Sequence, residues 1–115
     1  MQVLEFVENL KAKIIDNSII EYGDLLDRAN NATDSTWQSI FAVYDKLTEQ
    51  EKISFLNFIR LIKVNTLSAV LGVLDGSSYL SAHRETFILT SESDGEVLSG
   101  SLQDLFLEME EDNNG

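Results

Sequence analysis

From Phe55 to Val64, seven of ten residues are large and apolar, and the other three, Asn57, Arg60 and Lys63, recur every third position in step with Ser54. On a helix of about 3.6 residues per turn that spacing drifts around the axis, so the polar residues form no single wet face. A helix apolar on most sides has to be covered on most sides. The stretch is therefore expected to be the central element around which the rest of the chain is arranged. A membrane-spanning helix needs about 20 predominantly apolar residues with few charges. Asn57, Arg60, Lys63, Asn65, Thr66 and Ser68 break the run between Phe55 and Leu74, which favours a buried core helix. Asn65-Thr66 either ends this helix or bends it. Leu67, Val70, Leu71 and Leu74 resume the helical spacing, and Asp75-Gly76 supplies the stop.

The residues before it read as helices. Val3, Val7, Leu10 and Ile14, widened by Leu4 and Ile15, form an apolar stripe opposite Glu5, Glu8, Asn9 and Lys13, as an amphipathic helix requires. Asp16-Asn17-Ser18 is expected to interrupt it. Ser18 and Glu21 have the spacing of a capping box for a second helix, with Tyr22, Leu25, Leu26 and Ala29 facing inward. Asn30-Asn31-Ala32-Thr33-Asp34 reads as a loop. Ser35 with Gln38 predicts a third start, placing Trp37, Ile40, Phe41, Tyr44 and Leu47 on one side. Thr48 with Glu51 predicts a fourth. Connections this short favour antiparallel neighbours.

After Gly76 the texture changes. Ser77, Ser78 and Ser81 mark a loop, and Thr86-Phe87-Ile88-Leu89-Thr90 has strand composition. Asp94-Gly95 is a hairpin signal, with Glu96-Val97-Leu98-Ser99 as the return strand. A longer loop that pairs Leu89 with Val97 and Ile88 with Leu98 sets apolar against apolar. Ser101 with Asp104 then starts a last helix carrying Leu102, Leu105, Phe106 and Met109. The expected fold class is α+β, mainly helical: four or five helices packed around the central apolar helix, then one β-hairpin and a C-terminal helix. It forms a single domain over residues 1–112, with 113–115 as a frayed tail. A chain of 115 residues with 43% hydrophobic residues has the size and apolar content for one core.

Chemistry is mostly excluded by what is missing. With no Cys, there is no disulfide framework, thiolate zinc site or Cys nucleophile. The one His, His83, stands beside Arg84 and Glu85. A catalytic role with Glu85 or Asp75 as orienter and Ser77 or Ser78 as nucleophile finds no supporting motif. Thr90 to Gly95 resembles a calcium loop only superficially, since Thr90 and Ser101 fall where carboxylates belong. Gly72, Gly76, Gly95 and Gly100 make neither a P-loop nor a dinucleotide fingerprint. No catalytic residue, cofactor or metal is expected. No basic, apolar leader opens the chain, and a soluble, cytoplasmic protein is expected.

Charge carries the positive signal. The net charge is −12, and Arg84 is the last basic residue. Up to that point the balance is −3, and the remaining −9 lies in the last 31 residues. Glu92, Asp94 and Glu96 fall on the expected hairpin, and Asp104 and Glu108 are four apart on the last helix. Like charge on structured elements costs stability through self-repulsion, and a basic partner relieves it with fast, steered association. These five residues are the expected partner-binding site. The expected function is a non-enzymatic, acidic protein-binding module. Its concrete form is a bacterial immunity or inhibitor protein that neutralises a toxin, for instance a nuclease with a positive active site, by covering that basic surface. Direct nucleic-acid and membrane binding are not expected. The alternative is an adaptor or assembly subunit, homodimeric in one version, that uses its hairpin edge or an apolar surface.

Overall fold

The computed structural model describes residues 1–28, 33–82 and 84–114. The fold is all-α: about 68% helical, with four helical rods and no β-strand or sheet among the described residues. The expected α+β class is thereby corrected. The first rod is α1 (Val3–Leu10), a π-helical segment (Lys11–Asp16) and α2 (Asn17–Arg28) in unbroken succession. After it come α3 (Ser35–Tyr44), α4 (Glu49–Leu74) and α5 (Leu102–Asn114).

Asp16-Asn17-Ser18 does not interrupt the first rod, and Ser18 and Glu21 lie inside α2. The wider π turn brings residues five apart toward one face, and Lys11 Nζ meets Asp16 Oδ2 there at 2.9 Å. The chain absorbs its apparent stop signal as an ion pair. The inward line is Val7, Lys11 and Ile15, all buried, while Ile14 is 38% exposed. It runs one residue beyond the expected Leu10–Ile14 line and carries a lysine.

The caps divide into local and remote. Thr48 and Glu51 form the expected capping box, with Glu51 N–H donating to Thr48 Oγ1 at 3.1 Å and Thr48 N–H donating to Glu51 Oε1 at 2.8 Å. For α3 the cap is Asp34, not Ser35: its Oδ1 accepts from Thr36 N–H and Trp37 N–H. α4 runs straight through Asn65-Thr66 and stops where expected, with Gly76 at φ 78°. Ala29, Asn30, Asn31, Ala32 and His83 lie outside the described residues, so the readings made on them do too.

α4 joins two cores. Its first half sets Phe55, Leu56 and Ile59 against Leu26, Phe41 and Tyr44. Its second half sets Val64, Leu67, Leu71 and Leu74 among Val7, Ile15, Leu102 and Phe106. Two cores strung along a 26-residue helix make an elongated molecule of 48 × 33 × 28 Å. They cover two flanks of α4 and leave a third bare, so the expected cover on most sides is corrected. Ser68, Leu71 and Gly72 are the buried residues of this helix. By length and composition α4 is also the one helix among the described residues long and apolar enough to cross a membrane.

Tyr44, 2% exposed, anchors the first core, and its hydroxyl donates to Asp27 Oδ1 at 3.0 Å. Burial first, and then Asp27, pushes the phenol up to about 12. The raised value means the folded state favours the neutral phenol. That stability is complete below pH about 10 and is lost as pH rises toward 12, a change of about 2–3 kcal/mol. Tyr44→Phe should flatten this part of the alkaline limb in urea midpoints. A variant that loses as much stability as the parent over the same range would refute the assignment.

The hairpin reduces to one isolated bridge, Thr90 to Val97. This is one residue away from the expected Leu89–Val97 register, and in a strand such a slip exchanges faces. Ile88 and Val97 are accordingly 75% and 54% exposed. Leu98 N–H donates to Leu89 O at 2.8 Å, but Leu89 N–H donates to the Ser99 side chain instead of a ladder carbonyl. A two-stranded ribbon is marginal without a third strand or a helix beneath it. Here Leu89 and Leu98 reach inward, and the described residues present no sheet edge for a partner to extend.

Candidate functional site

Two features meet where α4 and α5 run side by side. The first is a group of four charges, two of them buried. Lys11 on the π segment and Glu110 on α5 are each 6% exposed, with Lys11 Nζ 3.6 Å from Glu110 Oε1. Arg60 on α4 closes the group, donating from Nη2 to Glu110 Oε1 at 2.6 Å and to Asp16 Oδ1 at 3.1 Å. Two cations against two carboxylates leave no net charge. Partial burial pushes the Asp16 carboxyl up, but the hydrogen bonds and charges of Lys11 and Arg60 outweigh it and hold the group below the ordinary carboxylate range.

The second feature is a groove of about 520 Å³ lined by Asn57, Arg60, Leu61, Val64, Leu107, Glu110 and Glu111. Leu61, Val64 and Leu107 make its apolar walls, and Arg60 and Glu110 of the charge group form part of its lining. The walls are held together by close helix contact. Gln103 Nε2 donates to Ser68 O at 2.9 Å, and a Cβ at Gly72 would stand 3.0 Å from that same nitrogen. Glycine leaves room there for the Gln103 amide that bridges the two helices.

The five residues predicted from charge fall into two sets. Glu92, Asp94 and Glu96 are exposed on the turn around Gly95. Asp94 is engaged by the Met1 ammonium at 2.8 Å, and the resulting hydrogen bond lowers its pKa. Asp104 and Glu108 are exposed on α5. At helical spacing they share a face with Glu111, four, then three residues on. Glu111 lines the groove, and α5 contains no basic residue. The structure thus places a carboxylate row beside an apolar cleft.

Sequence reasoning missed Lys11, Arg60 and Glu110 as a group. The available signal was one charge at the middle or end of an apolar line spaced by four: Val7, Lys11 and Ile15 on the first rod, and Leu102, Phe106 and Glu110 on α5. The two intruding charges have opposite signs. Among the described residues no three His, Cys, Asp or Glu side chains are grouped to hold a metal ion. Comparison with protein-family models, curated proteins and solved structures found no match.

Proposed function

We propose that this chain is a non-enzymatic protein-binding module that takes a basic, amphipathic helical segment of a partner protein along the α4–α5 groove. The observation that carries the reading is the uncompensated row Asp104, Glu108 and Glu111 beside the apolar walls Leu61, Val64 and Leu107. A helix laid in a groove is read by apolar anchors on one face. Lysines or arginines flanking those anchors would meet the carboxylates, and steering by net charge −12 speeds the encounter. Among basic partners, a cytoplasmic toxin whose nucleic-acid cleft must be positive is well suited to such a cover. An immunity-type inhibitor is therefore the specific form of the proposal.

A fluorescent synthetic helix with one leucine face and one lysine face provides the probe. Its anisotropy should report saturable binding that weakens roughly tenfold or more between about 50 and 500 mM salt. Reversing Asp104, Glu108 and Glu111 to lysine should weaken it far more than the same charge change at Glu21, Asp24 and Glu49. Equal losses from the two triple variants would reduce the binding to net charge and overturn the assignment to the groove.

A further inference from the structure

Between α2, α3 and the first half of α4 the first core leaves a cavity, open on one side. Phe55, Ile59 and Lys63, spaced by four along α4, share its lining with Tyr22 of α2 and with Trp37 and Ile40 of α3. None of these residues lines the acidic groove, which lies on another flank of α4. The space measures about 310 Å³, against roughly 30 Å³ for one water in the liquid. Protein interiors leave few voids larger than a water, so this is more than an ordinary packing gap. The helices meet around it through rings: Tyr22 and Trp37 stack with centroids 6.3 Å apart, and Trp37 and Phe41 lie 5.6 Å apart. Water fills such a space poorly, because a held water needs about two to four polar partners and these walls are mainly ring and aliphatic carbon. The exception is Lys63. Among the described residues it is the one charged member of the lining, and no carboxylate pairs with it. The side chain is half-buried, and its Nζ lies 5.2 Å from the centre of the Tyr22 ring. The negative face of the ring holds the ammonium at the aromatic wall, and N–H donors remain for an acceptor inside the cavity.

We propose that this cavity binds a small aromatic carboxylate, its rings set among Tyr22, Trp37 and Phe55 and its carboxylate on Lys63. Volume, walls and charge each narrow the class. Ligand pockets run upward from about 300 Å³, so this one takes one or two rings and no larger cofactor. Ring walls favour an aromatic body, through offset or edge-to-face contact. One cation matches one negative charge. A phosphate dianion would bring a second charge with no partner, against the repulsion of a chain of net charge −12. A concave, mainly apolar space in which one polar group fixes orientation is the usual form of a small-molecule site. The cavity is separate from the groove, so an occupant here leaves the basic helix its own place.

Titration of the whole chain with 1-naphthoate and with its uncharged amide tests it. Trp37 is the one tryptophan, so its indole N–H gives a single signal in a nitrogen–proton correlation spectrum. That signal should shift saturably with 1-naphthoate, at a Kd of about 10–100 µM. The amide should bind roughly tenfold more weakly or worse, having lost the charge-assisted bond. Lys63→Met keeps an apolar stem in place. It should bring naphthoate down to the affinity of the amide and leave the amide unchanged, a split that loss of folding cannot produce. Ile40→Phe fills the cavity and should weaken both ligands roughly tenfold or more, with helical circular dichroism unchanged. No saturable indole shift up to about 1 mM, equal affinity for naphthoate and amide, or a Lys63→Met chain that holds naphthoate as tightly as the parent would overturn the proposal. Any of these would leave the binding of the basic helix untouched.

Discussion

Glu110→Gln is expected to cost about 3 kcal/mol, at the lower end of the range for removing one member of a buried ion pair. For a chain of this size that is a fall of about 12 °C in melting midpoint. The carboxylate accepts from Arg60 at 2.6 Å and lies 3.6 Å from Lys11 Nζ. Removing its charge leaves two cations sharing Asp16 alone. Lys11 has 8% of its side chain exposed, so water cannot replace the lost partner there. Arg60 is 25% exposed and recovers some hydration, which is why the lower end of the range applies. Lys11→Met should cost a similar amount, by leaving a surplus carboxylate. The double variant Lys11→Met/Glu110→Leu removes the buried pair and keeps the more exposed Arg60–Asp16 contact. It should lie within about 1 kcal/mol of the parent, because well-packed apolar replacements for buried pairs are often neutral or better. Urea denaturation of the parent, Lys11→Met, Glu110→Leu and this double variant gives the coupling directly. Single costs that merely add in the double would show that these charges do not act as a unit. Asp16 sets the acid limit of the same group: with its pKa lowered below 3.8, its contribution is complete above that pH and is lost as pH falls through the lowered value.

What could be read from the residues was local. The Thr48–Glu51 box and the Asp75-Gly76 stop were legible because both partners of each signal lie within one turn of chain. Helical spacing likewise identified Leu71, Leu102 and Phe106 as inward. Three misreadings share a different cause. Asp16-Asn17-Ser18 has the composition of a break, but the π turn and Lys11 make its first residue an ion-pair partner inside a continuous rod. Thr86–Thr90 has strand composition, yet Phe87 and Ile88 remain 40% and 75% exposed and one isolated bridge is formed among the described residues, so composition alone builds no sheet. Phe55–Val64 is apolar on most sides, and from that alone cover on most sides followed. The remaining helices form only two packed flanks, and the uncovered third became legible only once Arg60 and Lys63 were seen to turn away from it. The groove was half legible. The uncompensated charge of the last helix pointed to Asp104 and Glu108, but the apolar walls depend on which face of α5 meets α4.

The cap of α5 was not legible at all, and it carries the second large effect. Ser101 has the position of an N-cap, but the work is done by Asp75, at the far end of α4. Its Oδ1 accepts from Gly100 N–H at 2.7 Å and from Leu102 N–H at 3.0 Å, and its Oδ2 accepts from Gln103 N–H at 2.8 Å. A carboxylate at a helix N-terminus also opposes the positive end of the dipole. Asp75→Ala loses three charge-assisted bonds and a cap, and should cost about 3 kcal/mol. Asp75→Asn can keep both bonds to one oxygen and lose only that from Gln103, for about 1 kcal/mol. Hydrogen exchange at Leu102 and Gln103 should accelerate in the alanine variant and, for Gln103 alone, in the asparagine variant. Equal costs for the two substitutions, or unchanged exchange at Gln103 in both, would show that the α5 terminus is held by other means. Because Asp75 holds the start of α5 and Glu110 holds its far end, either loss should loosen the wall that bears Leu107 and Glu111. Binding of the basic helix should then weaken in Asp75→Ala, although Asp75 itself touches no residue of the groove row.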